Sequence, residues 1–192
     1  MSKASEHIKT TGIEGLFVIE RETLDDSRGF FREVFHLDEL EEVLGYKFDG
    51  VQMNHSMSKP GVVRGIHPDP WDKLIYPASG KVFTAIADID PKSPTFKKVE
   101  TFTMDDDHRY ALFIRKGLGN SLCAVGEEPV NYIYLVTSYW DGNLLSGMRA
   151  VAYNDPDLNI AWPVENPIIS EKDLHNKTLR EHYQEEYPEL FR

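Results

Sequence analysis

Lys73-Leu74-Ile75-Tyr76-Pro77-Ala78-Ser79-Gly80-Lys81-Val82-Phe83-Thr84-Ala85-Ile86-Ala87 decides the fold class. Two short runs of aliphatic, aromatic and β-branched residues flank Pro77-Ala78-Ser79-Gly80. The pattern reads as two strands joined in a hairpin. The same rhythm continues on both sides. Upstream, Leu16-Phe17-Val18-Ile19, Phe30 to Phe35, Val51 to Ser56 and Val62 to Ile66 are strand candidates, with Asp25-Asp26-Ser27-Arg28-Gly29 as a turn. Downstream, Phe96 to Met104, Tyr110 to Ile114, Ser121 to Val125, Asn131 to Tyr139 and Met148 to Tyr153 follow. About ten to twelve short strands with turns between them predict an all-β sandwich, jelly roll or closed barrel. No βαβ alternation is present, which argues against a doubly wound or TIM architecture.

Helices are few. Leu37, Leu40 and Leu44 share helical spacing, acids fill the opposite face, and Gly45 can cap the end. Glu171 to Glu186 reads as a short, mostly exposed helix or an extended tail. The chain of 192 residues predicts one domain, residues 1–192, with a loose start over 1–12 and a polar tail over 174–192.

Hydrophobic residues make up 41%, enough for a sizeable core. The net charge of −11 repels phosphate backbones and argues against a nucleic-acid surface, though local arginines could still hold a small phosphorylated ligand. No apolar run reaches the ~18–20 residues of a membrane span. The start has no signal-peptide core and Cys123 is the single cysteine, so a cytoplasmic, reducing location is expected.

Phosphate-loop, dinucleotide and nucleophile-elbow motifs are absent. The residue two after His67 is Asp69, not a second histidine, so no bound metal is expected. Arg64-Gly65-Ile66-His67-Pro68-Asp69-Pro70-Trp71-Asp72-Lys73 is the densest in chemistry. A histidine near neutral pKa is the usual general base, and a lysine can meet a developing oxyanion. The alternative is a surface turn with incidental charges. Tyr132, Tyr134, Val136, Ser138 and Trp140 would share one strand face, as a sugar-stacking or proton-donating wall or as a core ladder. Gln52, Asn54, Ser56 and Ser58 form a polar face that is either solvated or lines a polar cavity. Arg28 and Arg32 stand beside Phe31 and Glu33.

Five segments in order resemble the dTDP-4-dehydrorhamnose 3,5-epimerase family. They are Asp26-Ser27-Arg28-Gly29-Phe30-Phe31-Arg32-Glu33, Gln52-Met53-Asn54-His55-Ser56, Val63-Arg64-Gly65-Ile66-His67, the run from Asn154 to Pro163, and Ser170-Glu171-Lys172-Asp173. The resemblance implies a cupin-type jelly roll, commonly a homodimer, with no metal and no organic cofactor. It implies a nucleotide-diphosphate 4-keto-6-deoxy sugar as substrate, dTDP-linked, epimerised at C3 and C5. His67 would be the base and Asp173 its partner. Lys73 would stabilise the enolate, and Tyr134 would return the proton from the other face. Arg64 and Arg28 match positions around the diphosphate, and Phe31 and Glu33 match nucleotide contacts. Gln52 and Asn54 match residues lining the sugar pocket, and Lys172 joins the substrate-binding set.

The chain departs from the common pattern in three places, one of them the shorter gap from His67 to Lys73, where Pro68 and Pro70 can re-route the loop. Asn120 stands where a substrate-holding histidine is usual, and Trp140 where a second tyrosine is usual. An indole cannot donate a proton to carbon, which points to epimerisation at a single carbon as the alternative outcome. A non-catalytic jelly roll that binds nucleotide sugars, and a metal-dependent cupin isomerase, are the rival readings.

Overall fold

A computed structural model describes residues 4–141 and 147–192. Its strands are β1 (Ile8–Thr10), β2 (Leu16–Ile19), β3 (Thr23–Asp26), β4 (Gly29–Arg32), β5 (Gln52–Ser58) and β6 (Val63–Pro68). There follow β7 (Lys73–Ser79), β8 (Lys81–Ala87), β9 (Val99–Met104), β10 (Ala111–Ile114), β11 (Gly119–Val125) and β12 (Val130–Val136). The helices are α1 (Ala4–His7), α2 (Leu37–Leu44), α3 (Glu171–Leu174) and α4 (Leu179–Tyr183), with a 3-10 turn at Pro188–Phe191.

The strands form a six-stranded sheet ordered β1-β2-β10-β7-β12-β5, facing a four-stranded sheet ordered β6-β11-β8-β9. All their pairings are antiparallel, as a jelly roll requires. β3 and β4 stand apart as a two-stranded ribbon.

Three apolar clusters hold the layers. Leu16, Ile75, Val82, Ile86, Leu112 and Tyr132 belong to the main core between the sheets. Leu40 of α2 packs with Leu74 and Phe113 on the outer side of the larger sheet. Leu179 and Phe191 pack with Ile66 and Ala87 on the outer side of the smaller one. Because both its faces are covered, β10 is buried throughout and its sequence Ala-Leu-Phe-Ile does not alternate in polarity. Burying one such side chain stabilises the fold by roughly 1.5–3 kcal/mol. Gly45 ends α2 with φ 74°, its N–H donating to Glu41 O, as the spacing predicts.

Several sequence expectations are corrected. β7 and β8 are not a hairpin: β7 pairs with β10 and β12, β8 with β9 and β11. The chain changes sheets at Gly80, whose φ is 80°. The buried Arg109 guanidinium donates to Pro77 O at 2.6 Å and Gly80 O at 3.5 Å, serving carbonyls that a hairpin ladder would have paired. β12 stops at Val136, because Thr137 turns to bond Asp72: its N–H donates to Asp72 O and its hydroxyl accepts from Asp72 N–H. Ser138 and Trp140 are therefore not on Tyr134's strand face. Met148 to Tyr153 holds no strand, only a bridge between Val151 and Lys177. The start is not loose throughout, since β1 pairs with β2 and buries Ile8. The tail folds back, burying Leu179 and Phe191.

Candidate active site

β6 carries Arg64 and His67 toward the space between the sheets. Gly65 has φ 129°, and a Cβ there would lie 2.5 Å from Ser121 Cβ, so only glycine lets β6 approach β11 this closely. The register between these strands shifts beyond Asn120, which pairs with His67. On the opposing sheet, Val136 pairs with Lys73 and Tyr134 with Ile75. Lys73 and Tyr134 are thus diagonal neighbours, and the Lys73 ammonium lies 4.9 Å from the Tyr134 ring centroid.

A cavity of about 510 Å³ opens between these walls. His67, Lys73, Asn120, Tyr134, Lys172 and Asp173 line it, together with Arg64 and Ser56. His67 and Asn120 come from the smaller sheet, Lys73 and Tyr134 from the larger.

Asp173 is buried on the short helix α3. Ser170 caps that helix, its hydroxyl accepting from Asp173 N–H at 3.1 Å. Asp173 Oδ1 meets His67 Nε2 at 2.6 Å, and Asn176 Nδ2 donates to the same oxygen at 3.3 Å. Burial pushes the Asp173 carboxyl up, but the His67 ring, Ser170 and Asn176 outweigh it and hold the carboxyl below its usual range. The carboxylate therefore accepts a hydrogen bond from His67 Nε2–H, and the ring's lone pair then sits on Nδ1. Tyr134 is pushed the other way. Burial raises its pKa, the Asp69 carboxylate raises it further, and Arg64 opposes both. Its phenol stays protonated at neutral pH and can act as an acid.

One polar residue of β5 reaches the cavity. Ser56 lines it, and Gln52 and Asn54 continue the same half-buried strand face, Gln52 Nε2 donating to Asn54 Oδ1 at 2.7 Å. That face is neither solvated nor core. The strand's other face is the exposed one, with Met53 72% exposed. Trp140 lies beyond the end of β12, its backbone N–H donating to Gln52 Oε1 at 2.9 Å. Arg64 is held by Ser58 Oγ at 2.9 Å and Met57 O at 3.2 Å.

Six of the sequence-derived residues are not among those that line the cavity: Gln52, Asn54 and Trp140, which neighbour one another beside it, and three that lie elsewhere. Arg28, Phe31 and Glu33 lie on or beside the β3–β4 ribbon. Arg28 bonds Asp26, and Glu33 faces His36 and Arg21. Phe31 is 64% exposed. The ribbon's own cavity shares no residue with the one around His67.

The sequence reading missed Asp69, whose carboxylate pairs with Lys73 and accepts from Asn120 Nδ2 at 2.9 Å. It also missed Ser170 and Asn176, which support Asp173. A lone acidic residue between two prolines was the one available signal for Asp69.

Comparison with known proteins identifies the family. The model of the dTDP-4-dehydrorhamnose 3,5-epimerase family matches residues 10–181. A dTDP-4-dehydrorhamnose 3-epimerase of Streptomyces niveus is 34% identical, covering 91% of this chain and 84% of its own. The crystal structure of NovW, a 4-keto-6-deoxy sugar epimerase from Streptomyces spheroides, superposes with TM-score 0.86 at 32% identity over 93% of this chain and 89% of its own. The dTDP-6-deoxy-D-glucose-3,5-epimerase of Legionella pneumophila, solved with dTDP-4-keto-L-rhamnose, gives 0.81 at 32% identity over 90% and 92% of the two chains. With the family model matching residues 10–181, His67 and Asp173 included, the chain belongs to the dTDP-4-dehydrorhamnose 3,5-epimerase family.

Proposed function

We propose that the protein epimerises a nucleoside-diphosphate 4-keto-6-deoxy sugar, dTDP-linked, by removing and returning a proton beside the ketone. The observation that carries this is the His67–Asp173 pair on one wall of a cavity whose other wall holds Lys73 and Tyr134. A 4-ketone acidifies the hydrogens on C3 and C5. His67 Nδ1 takes one of them, and the C–H electrons move through the carbon to O4. The Lys73 ammonium meets the enolate charge that forms there. The enolate then collapses, the carbon takes a proton from the Tyr134 phenol on the opposite face, and the centre is inverted. No electron leaves the sugar, so the net reaction is an isomerisation.

Arg64 and Lys172, at the cavity's edge, suit the diphosphate. Gln52, Asn54 and Trp140 suit the sugar and base. Arg28, Phe31 and Glu33 then require a second copy of the chain, whose ribbon would reach the nucleotide. Exposed Leu24, Phe30 and Phe31 on the ribbon support a homodimer built this way. The corresponding location is the cytosol, where the buried, unbridged Cys123 stays reduced.

Inversion at both C3 and C5 is the first reading. The second is inversion at one carbon. It is favoured by Trp140 at the position of a second tyrosine and by the similarity to a relative that is a 3-epimerase. Proton NMR of dTDP-4-keto-6-deoxyglucose in D₂O separates them. Deuterium entering C3, C5 or both identifies the carbons handled. The His67→Ala variant should lose about 10²–10⁴-fold of that rate. A folded wild type that exchanges neither carbon, with this sugar or a GDP-linked one, overturns the proposal.

A further inference from the structure

Lys73 does not face the cavity alone. Its ammonium pairs with Asp69 Oδ2 and lies 3.5 Å from Asn120 Oδ1. Asn120 closes the triangle, its Nδ2 donating to Asp69 Oδ2 at 2.9 Å and to the backbone carbonyl of His67 at 2.7 Å. The Lys73 and Asp69 side chains are only 10% and 14% exposed, so the two charges are shielded together. The carboxylate is presented by a held segment. Pro68 and Pro70 fix the backbone on either side, and Gly117 N–H donates to Asp69 O at 2.8 Å. A lysine ammonium has three donors on a flexible stem, so its direction depends on such acceptors.

We propose that Asp69 is a positioning residue: with Asn120 it fixes the Lys73 ammonium against Tyr134, so that the cation meeting the enolate oxygen and the phenol returning the proton are set as one unit. This rests on the epimerase reading of the cavity. The arrangement has a cost that becomes a signature, because Asp69 partly neutralises Lys73 and its negative charge also bears on Tyr134. Into the cavity that Tyr134 lines, β6 brings Arg64 and His67, β7 brings Lys73, β12 brings Tyr132, and α3 brings Lys172 and Asp173. β5 and β11 bring the uncharged Ser56 and Asn120. Asp69 is the carboxylate in direct contact with Lys73, and it helps hold the phenol protonated. Replacing it with asparagine removes a charge that disfavours phenolate and leaves the ammonium uncompensated. Both changes move phenol ionisation to lower pH.

The test is Asp69→Asn beside Asp69→Glu and the wild type. In Asp69→Asn, kcat for deuterium incorporation should fall about 10²-fold, the cost of a misplaced group, with KM little changed. The alkaline limb of its pH profile should move to lower pH. Independently of turnover, the [ζ-¹³C]tyrosine resonance assigned by Tyr134→Phe should titrate at lower pH in Asp69→Asn than in wild type. Asp69→Glu, which keeps the charge, should return that titration toward the wild-type position. An unchanged titration and pH profile in a folded, Asp69→Asn variant overturns the inference. So do equal losses in both variants, which would make Asp69 a structural loop residue. A wild type that exchanges no deuterium sinks the epimerase reading instead, and the tyrosine titration still reports on the contact.

Discussion

At the scale of single residues, the dyad is the feature with the sharpest consequences. His67 and Asp173 are 106 positions apart, and no spacing rule joins them. Their partnership was legible through the resemblance alone, whereas the local device that presents Asp173, a serine cap on a one-turn helix, is ordinary capping chemistry. Asp173→Asn keeps the shape and removes the charge that fixes the histidine tautomer. Its kcat should fall by up to about 10⁴-fold in the deuterium assay. The same carboxylate links stability to pH. Its pKa in the folded protein lies below the ordinary 3.8, so its stabilisation is fully present above that value and is lost as pH falls through the folded value. Urea unfolding should show wild type more stable than Asp173→Asn at neutral pH, with the gap closing below about pH 3.8. A gap that persists undiminished in acid would remove the charge from the explanation.

At the scale of elements, most strands were legible and their partners were not. Local pattern located β7 and β8 to within a few residues, because period-2 alternation and Pro and Gly punctuation are local signals. Whether Pro77-Ala78-Ser79-Gly80 folds into a hairpin or carries the chain between sheets depends on Arg109, 29 positions beyond Gly80. That side chain is 1% exposed and pairs with Asp106 while serving two carbonyls of the corner. Arg109→Leu removes the buried guanidinium that both carbonyls share. It should cost about 1–3 kcal/mol in chemical denaturation. The corner is remote from the dyad, so the rate of deuterium incorporation per folded molecule should stay within about two-fold of wild type. A large rate loss would mean that the corner also sets the cavity. β12 teaches the same lesson at its end. Its aromatic run does not reveal that the strand ends at Val136, where Thr137 bonds Asp72, so Trp140 does not continue the strand face of Tyr134 and instead meets Gln52 through its backbone N–H.

At the scale of the whole molecule, the two sheets need covers, and the terminal segments supply them. The start of the chain and α2 cover one side, and the C-terminal segment covers the other, where Asp155 Oδ2 accepts from Leu179 N–H at 2.6 Å. The tail's charge hid this role, since only Leu179 and Phe191 are deeply buried in it. The ribbon is the part the single chain does not explain. Arg28, Phe31 and Glu33 lie on or beside it, yet none lines the cavity around His67. If a second copy supplies them, each site combines one chain's cavity with the other's ribbon, and two defective variants should complement. His67→Ala spoils the cavity and keeps the ribbon, whereas Arg28→Ala/Phe31→Ala spoils the ribbon and keeps the cavity. Neither should exchange deuterium appreciably by itself. Mixed dimers formed by co-expression would contain one intact and one doubly defective site. With random pairing, half of the dimers are mixed, and the activity recovered should be about a quarter of wild type. A ribbon that serves its own chain's cavity gives no intact site in any dimer. Co-expressed variants that stay as inactive as their parents would therefore refute the shared site, and a sedimentation profile showing monomers would refute it without any assay.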